Sequence, residues 1–272
     1  MTTPPLLTER DAASAYALLA EASEDPKVLA VLSDEELLAL GGPSALELVG
    51  SPFLDAAEFD RELAAAIAAR SLIARGLVVL DDAQQENEGE DIVDPERPVE
   101  RAAQLDRTLA GLLTLRSMPL AVLNLTRQVA DQTTSVMVYV FPREGILEEL
   151  ITADGFHHFS LPLRSAVPAR LARYVDQDQV AGDEDDEPIR ATAAELEGEG
   201  ELAEALRDTR ALTVLTSAES DGSAQVSVMA TSQDVYMMDT PSSPEEQVAV
   251  RRISAQTLQD LIGEVLPAPA DA

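Results

Sequence analysis

The chain's two histidines are adjacent, in the stretch Asp154-Gly155-Phe156-His157-His158-Phe159-Ser160-Leu161-Pro162. Imidazoles bind metals and move protons near neutral pH, so a pair of them is the first place to look for chemistry. Their spacing argues against a joint site. Residues 156–163 read as a strand after a turn at Ala153-Asp154-Gly155, and neighbours on a strand point to opposite faces. Phe156, His158 and Ser160 then share one face, and His157, Phe159, Leu161 and Leu163 share the other. The two rings can neither chelate one ion nor share a proton, and there is no cysteine or third histidine to complete a metal site. The spacing leaves open a single histidine assisted by a carboxylate.

The other chemical patterns are missing or incomplete. The run DQDQVAGDEDDE starts Asp176-x-Asp178 like a calcium loop, but Val180 takes the third ligand position and no glycine sits at the sixth. No G-x-S-x-G positions a nucleophilic serine, no G-x-x-x-x-G-K-[ST] cradles a phosphate, and no Gly-rich turn marks a dinucleotide fold. With 50 acidic residues, paired carboxylates occur at every spacing and locate nothing. The residues therefore designate no catalytic, metal or cofactor-binding position, and the expected reading is a protein that is not an enzyme.

Composition narrows the choice of partner. There are 50 acidic and 19 basic residues, a formal net charge of −31, which repels phosphate backbones and anionic lipid and so argues against nucleic acid and membrane partners. Residues 81–100 hold nine carboxylates and one arginine, and residues 176–204 hold twelve and one. The body outside these stretches is only moderately acidic. The absence of cysteine fits a reducing compartment. The N-terminus lacks the basic and apolar regions of a signal peptide, and no apolar run reaches membrane-span length, so a cytoplasmic protein is expected.

The elements that must position any site read clearly. Residues 12–21 are helical. Ser33 with Glu36 forms a capping box before the helix Leu37-Leu38-Ala39-Leu40, and Gly41-Gly42-Pro43 ends it. A longer helix covers 55–75, Gly76 caps it, and 77–80 is the first strand. Residues 81–104 read as a solvated loop. A helix over 105–116 leads into strands at 120–129, 133–141, 146–152 and 156–163, then a helix to Val175. The acidic stretch 176–200 reads as a second, loosely ordered loop. After a short helix at 201–207, strands at 211–217, 225–231, 235–238 and 247–253 precede a helix over 255–266.

The plan repeats itself: HFSLPLRSAVPARLARYV and VAVRRISAQTLQDLIGEVL each run from an apolar strand through Ser-Ala into a helix. The expected fold is α+β, with antiparallel sheets flanked by helices and a quasi-two-fold internal repeat. It forms a single domain over 1–272, with an N-terminal half of about 1–175, a C-terminal half of about 201–267, and acidic loops at 81–104 and 176–200.

The stretch Ala64–Leu80, which holds the helix-to-strand junction Ser71-Leu72-Ile73-Ala74-Arg75-Gly76-Leu77-Val78, could also belong to a winged helix-turn-helix, but Arg70 and Arg75 are its only cations, beside an acidic loop. The same junction resembles the N-terminal landmark of the EspG family, the ESX (type VII) secretion-associated proteins of actinobacteria. The likeness extends in plan over an N-terminal helical region, the Arg-Gly-Leu-Val step into a sheet, a meander and helix over 133–175, and a second over 211–266. It implies a cytosolic chaperone that covers an aggregation-prone apolar tip of a PE–PPE substrate without ATP or metal; the sequence leaves monomer or dimer open. Such a protein needs an apolar surface with a polar rim. In this chain Val226, Val228 and Met237 on the strands, and Leu258, Leu261, Ile262 and Val265 on the last helix, are the candidate partner-binding residues, and each also fits a core. The rival reading is an acidic regulatory or scaffold protein that holds a basic partner through its loops.

Overall fold

The computed structural model describes residues 8–56, 60–80, 103–219, 222–240, 243 and 246–269. Helix α1 (Glu9–Leu19) starts at Thr8, whose side chain forms a reciprocal capping box with Asp11. Strand β1 (Ala30–Ser33) runs directly into α2 (Asp34–Gly41), where the Ser33–Glu36 capping box is present as expected. Helices α3 (Pro52–Ala56) and α4 (Arg61–Ala74) follow. The single helix read over 55–75 is thus divided, because Asp60 caps a new start by accepting from the Glu62 and Leu63 amides. Strands β2 (Val78–Leu80) and β3 (Ala103–Leu105) form a separate two-stranded sheet. Residues 103–104, expected in a loop, are therefore paired, and residues 81–102 of that loop lie outside the described residues. Helix α5 (Arg107–Ser117) begins at the Asp106 cap, two residues later than the leucine pattern suggests.

The first meander is β4 (Ala121–Val129), β5 (Gln132–Val140), β6 (Ile146–Ile151) and β7 (Phe156–Ser160), followed by α6 (Val167–Val175). Then come β8 (Ile189–Ala191), α7 (Ala193–Leu196) and α8 (Glu201–Arg207). The second meander is β9 (Ala211–Glu219), β10 (Gly222–Ala230), β11 (Val235–Asp239) and β12 (Val248–Arg252), followed by α9 (Ala255–Val265). All strands except β2 and β3 join one ten-stranded antiparallel sheet, ordered β1-β7-β6-β5-β4-β9-β10-β11-β12-β8. The two sheet regions read from the sequence are thus fused. The nine-residue strands β4 and β9 pair with each other in the middle, from Val122 opposite Ala218 to Gln128 opposite Leu212.

The repeat is wider than the meander and helix. Each half has, ahead of its meander, a short strand (β1 or β8) that ends up outside the last strand of that meander (β7 or β12), and each places a helix (α5 or α8) just before the meander. The halves meet at the β4–β9 pair. The Ser-Ala match is not the structural equivalence, however. The large buried side chains of α6 are Val167, Leu171 and Val175, with the small Ala172 beside them; those at and just beyond α9 are Leu258, Ile262 and Leu266. These sets align two residues out of step with Ser165 and Ser254. Ser254 caps α9, whereas α6 follows a tight turn and has no side-chain cap.

Strand alternation gives the sheet two covered faces. Leu123, Leu125, Val136, Val138, Val140, Leu215 and Val228 face α6 and α9, which pack side by side. Met137, Tyr139, Phe141, Leu147 and Phe159 face a layer built from α1, α2 and α5. Because β5 is buried on both sides, nearly its whole C-terminal half is apolar. The edge strands β1 and β8 have four and three residues, short enough to limit edge-to-edge pairing.

The second acidic stretch is not a loose loop. Asp176 accepts from the Val180 and Ala181 amides at 3.0 and 2.9 Å, folding the chain back so that Val180 and Ala181 pack on the core. Asp186 makes a forked pair with Arg252 at 3.0 and 2.7 Å. Asp185 accepts from the Ser254 amide at 2.6 Å and the Thr257 hydroxyl at 2.8 Å at the start of α9, where a negative charge meets the positive end of the helix. The Ser254 amide, then the Thr257 hydroxyl, hold Asp185 below the ordinary carboxylate range. Its contribution is present above that range and is lost as pH falls through the lowered value. Asp185→Ala is expected to lower stability at pH 7 by about 0.5–1 kcal/mol in urea unfolding. Equal stabilities would show that the stretch does not anchor α9.

Candidate functional site

The seven residues expected to form a partner-binding face are brought together, but mainly as core. Val226, Val228, Leu258 and Ile262 are buried in the cluster beneath α6 and α9, and Met237, Leu261 and Val265 are half-buried against it. The amphipathic face of α9 is spent on the sheet, so a partner would reach most of these side chains only if α9 moved away.

The histidine pair divides as the strand pattern requires. His158 is half-buried on the α6 face, while His157 is fully enclosed on the other. His157 stands between two carboxylates: Nε2 lies 2.8 Å from Asp34 Oδ1, and Nδ1 lies 2.6 Å from Glu149 Oε1. With an acceptor at both ring nitrogens, only the doubly protonated imidazolium donates in both directions. Glu149 also accepts from Arg116 Nε at 2.9 Å and from the Tyr139 hydroxyl. Arg116 reaches on to the Ala45 carbonyl. Asp34 Oδ2 accepts from the Phe53 and Leu54 amides at 3.1 and 3.4 Å. Two anions and two cations thus balance inside an otherwise apolar layer.

The network's protonation follows from this balance. Burial alone pulls the His157 imidazole down, but the Asp34 and Glu149 carboxylates outweigh it and hold the ring above its ordinary value. Burial likewise pushes Glu149 up, and His157 and Arg116 overcome that to hold it below the usual carboxylate range. Burial, reinforced by Glu149, pushes the Tyr139 phenol well above its ordinary value. Gly155 permits the close approach: its φ is +76°, and a Cβ there would lie 2.6 Å from Phe53 Cβ and 2.9 Å from Asp34 Oδ2.

This is the carboxylate-assisted histidine that the sequence left open, but it joins elements rather than facing a substrate. His157, Asp34, Glu149 and Tyr139 are essentially without exposed surface, and neither of the two hollows described below is lined by them. Sequence spacing could not pair Asp34 with His157, which lie 123 positions apart. The one available signal was the Glu148-Glu149 pair set inside the otherwise apolar strand Ile146–Ile151, of which Glu149 lies opposite Phe159 in the β6–β7 register.

The two halves differ on the face that carries this network. Over β5–β7 it is filled by α1, α2 and α5. Over β10–β12 the described residues cover it with no more than the four-residue α7 and the seven-residue α8. A hollow of ≈ 280 Å³ remains there, lined by Ala193, Leu196, Leu206, Met229, Met238 and Val248, with Glu197 and Glu246 also at its wall. Methionines suit such a place, since their flexible thioethers adapt to irregular apolar partners.

The architecture is that of an α+β protein on one large antiparallel sheet flanked by helices. No family model matches the sequence, and no curated protein does. Eleven chains of solved structures match. One belongs to the Mycobacterium tuberculosis type VII secretion system chaperone EspG5, in complex with a PE25–PPE41 dimer; it aligns at a TM-score of 0.49 and 10% identity, over 75% of this chain and 86% of that one. Among the described residues no helix is long and apolar enough to cross a membrane, and no group of three or more His, Asp or Glu is placed to hold a metal ion.

Proposed function

We propose that the protein is a non-enzymatic binding protein, a secretion chaperone whose client is a PE–PPE-type pair and whose hollow between Met229 and Met238 receives an apolar tip of that client. The carrying observation is the difference between the halves. The same sheet face is fully covered over β5–β7 but leaves an apolar hollow over β10–β12. The junction Arg75-Gly76-Leu77-Val78 and the twice-used meander and helix, read as EspG-like in the sequence, support the choice of client. An apolar floor walled by carboxylates is the form such a surface takes: it excludes water at the centre and stays soluble at the edge.

The test is co-expression with a PE–PPE pair encoded by the native host, followed by affinity purification. The wild type is expected to retain the pair, and Met238→Glu, at a half-buried position in the hollow, to lose at least about tenfold of it while keeping its melting temperature. No recovered pair with the wild type, or equal recovery with the variant, would reject the reading. The rival scaffold reading, in which acidic loops hold a basic partner, is weakened by the second stretch, whose Asp176, Asp185 and Asp186 are engaged with the body.

A further inference from the structure

The sheet face covered by α6 carries a second hollow, on the opposite side of the sheet from the one assigned to the client. It measures ≈ 240 Å³ and lies between α6 and strands β5 and β6, lined by Val136, Leu150 and Leu171 together with Glu148, Arg170, Arg173 and Tyr174. Its charge runs against that of the molecule. Glu148 is already matched: Arg170 reaches it at 2.7 and 3.3 Å, and the Ser160 hydroxyl donates to it at 3.3 Å. Arg173, three positions further along α6, is exposed and pairs with no carboxylate among the described residues. Tyr174 is tied by its hydroxyl to Thr134 at 2.7 Å. Thr134 faces Arg127 across the β4–β5 pair, and the Arg127 charge acts on Tyr174 while its buried Nε has no partner.

Two guanidiniums, Arg170 and Arg173, therefore line the hollow with one neutralised carboxylate, beside an aliphatic floor, in a chain with a net charge of −31; Arg127 acts on Tyr174 from behind, and the exposed Asp25 adds its charge at Arg170 rather than at Arg173. A cation would meet Arg173, the one guanidinium of the lining that no carboxylate among the described residues matches. A bare inorganic anion would leave the floor wet. The ligand that satisfies both parts has an apolar body for Val136, Leu150 and Leu171 and one carboxylate for Arg173, a group that a guanidinium grips through two parallel N–H donors. We infer that this hollow is a binding site for a small monocarboxylic acid with an aromatic or short aliphatic body. The size agrees: the space is below that of a drug-sized pocket and suits a single ring.

Benzoate and its neutral analogue benzyl alcohol are the probes, titrated into the full chain at fixed ionic strength while the methyl resonances of Val136, Leu150 and Leu171 are followed by NMR. Benzoate is expected to shift these methyls saturably, and benzyl alcohol to bind at least about tenfold more weakly. Arg173→Gln, an exposed substitution, is expected to weaken benzoate by a similar factor without changing the melting temperature. Absence of saturable shifts up to about 10 mM, equal affinity for the neutral analogue, or unchanged affinity in the variant would each overturn the assignment. Client co-purification does not enter this measurement, so the two readings stand or fall separately.

Discussion

His157→Ala is expected to lower the free energy of unfolding by about 3–5 kcal/mol, measured by urea denaturation near pH 6. The loss comes less from the imidazole's own contacts than from what remains. Asp34 and Glu149 are both enclosed, and without the cation between them each is a buried anion short of a partner. His158→Ala is the internal control. That side chain is half-buried on the opposite face, and its removal is expected to cost less than about 1 kcal/mol. Equal effects from the two neighbours would contradict the network.

The same network sets a pH profile whose direction can be worked out group by group. His157 is held above its ordinary value, so its contribution is complete below the ordinary imidazole range and is lost as pH rises through the raised folded value. Glu149 is held below its ordinary value, so its contribution is complete above the ordinary carboxylate range and is lost as pH falls through the lowered value. The network stabilises most between about pH 4.5 and 6.5. The difference in stability between wild type and His157→Ala should peak in that window and shrink on the alkaline side. A difference that grows steadily to pH 9 would show that the ring is not held as a cation.

Ile262→Ala is expected to cost about 2–5 kcal/mol, the range for emptying an aliphatic core position. Ile262 is fully buried between α9 and the sheet, whereas Leu261 beside it is only half-buried, so Leu261→Ala should cost distinctly less. This pair decides what the last helix is for. A docking anchor loses partner affinity on truncation and leaves the free protein's stability nearly intact; a core residue does the reverse. A stable Ile262→Ala protein that no longer holds its client would restore the whole of α9 as the binding face.

Legibility from sequence varied with the range of the interaction. The Ser33–Glu36 capping box, the turn at Gly155 and the alternation in β7 are fixed by neighbours a few positions away, and they were found where the pattern placed them. Strand β1 was missed because four residues carry too little periodicity, and it exists only through its pairing with β7. The order of the acidic stretch was missed for a related reason. Carboxylates such as Asp185 and Asp186 look solvated in sequence, and only the approach of Ser254, Thr257 and Arg252 from 66 to 72 positions away gives them partners.

The sequence by itself determined the class of elements, the strand faces and hence the separation of the two histidines, because side-chain direction on a strand is a local property of the backbone. Tertiary structure alone decided that Asp34, Glu149 and Arg116 converge on His157, that β4 and β9 fuse two meanders into one sheet, and that the apolar stripe of α9 faces inward. Those outcomes depend on which distant surfaces meet, and burial and pairing energies, unlike periodicity, are not written in any short stretch of the chain.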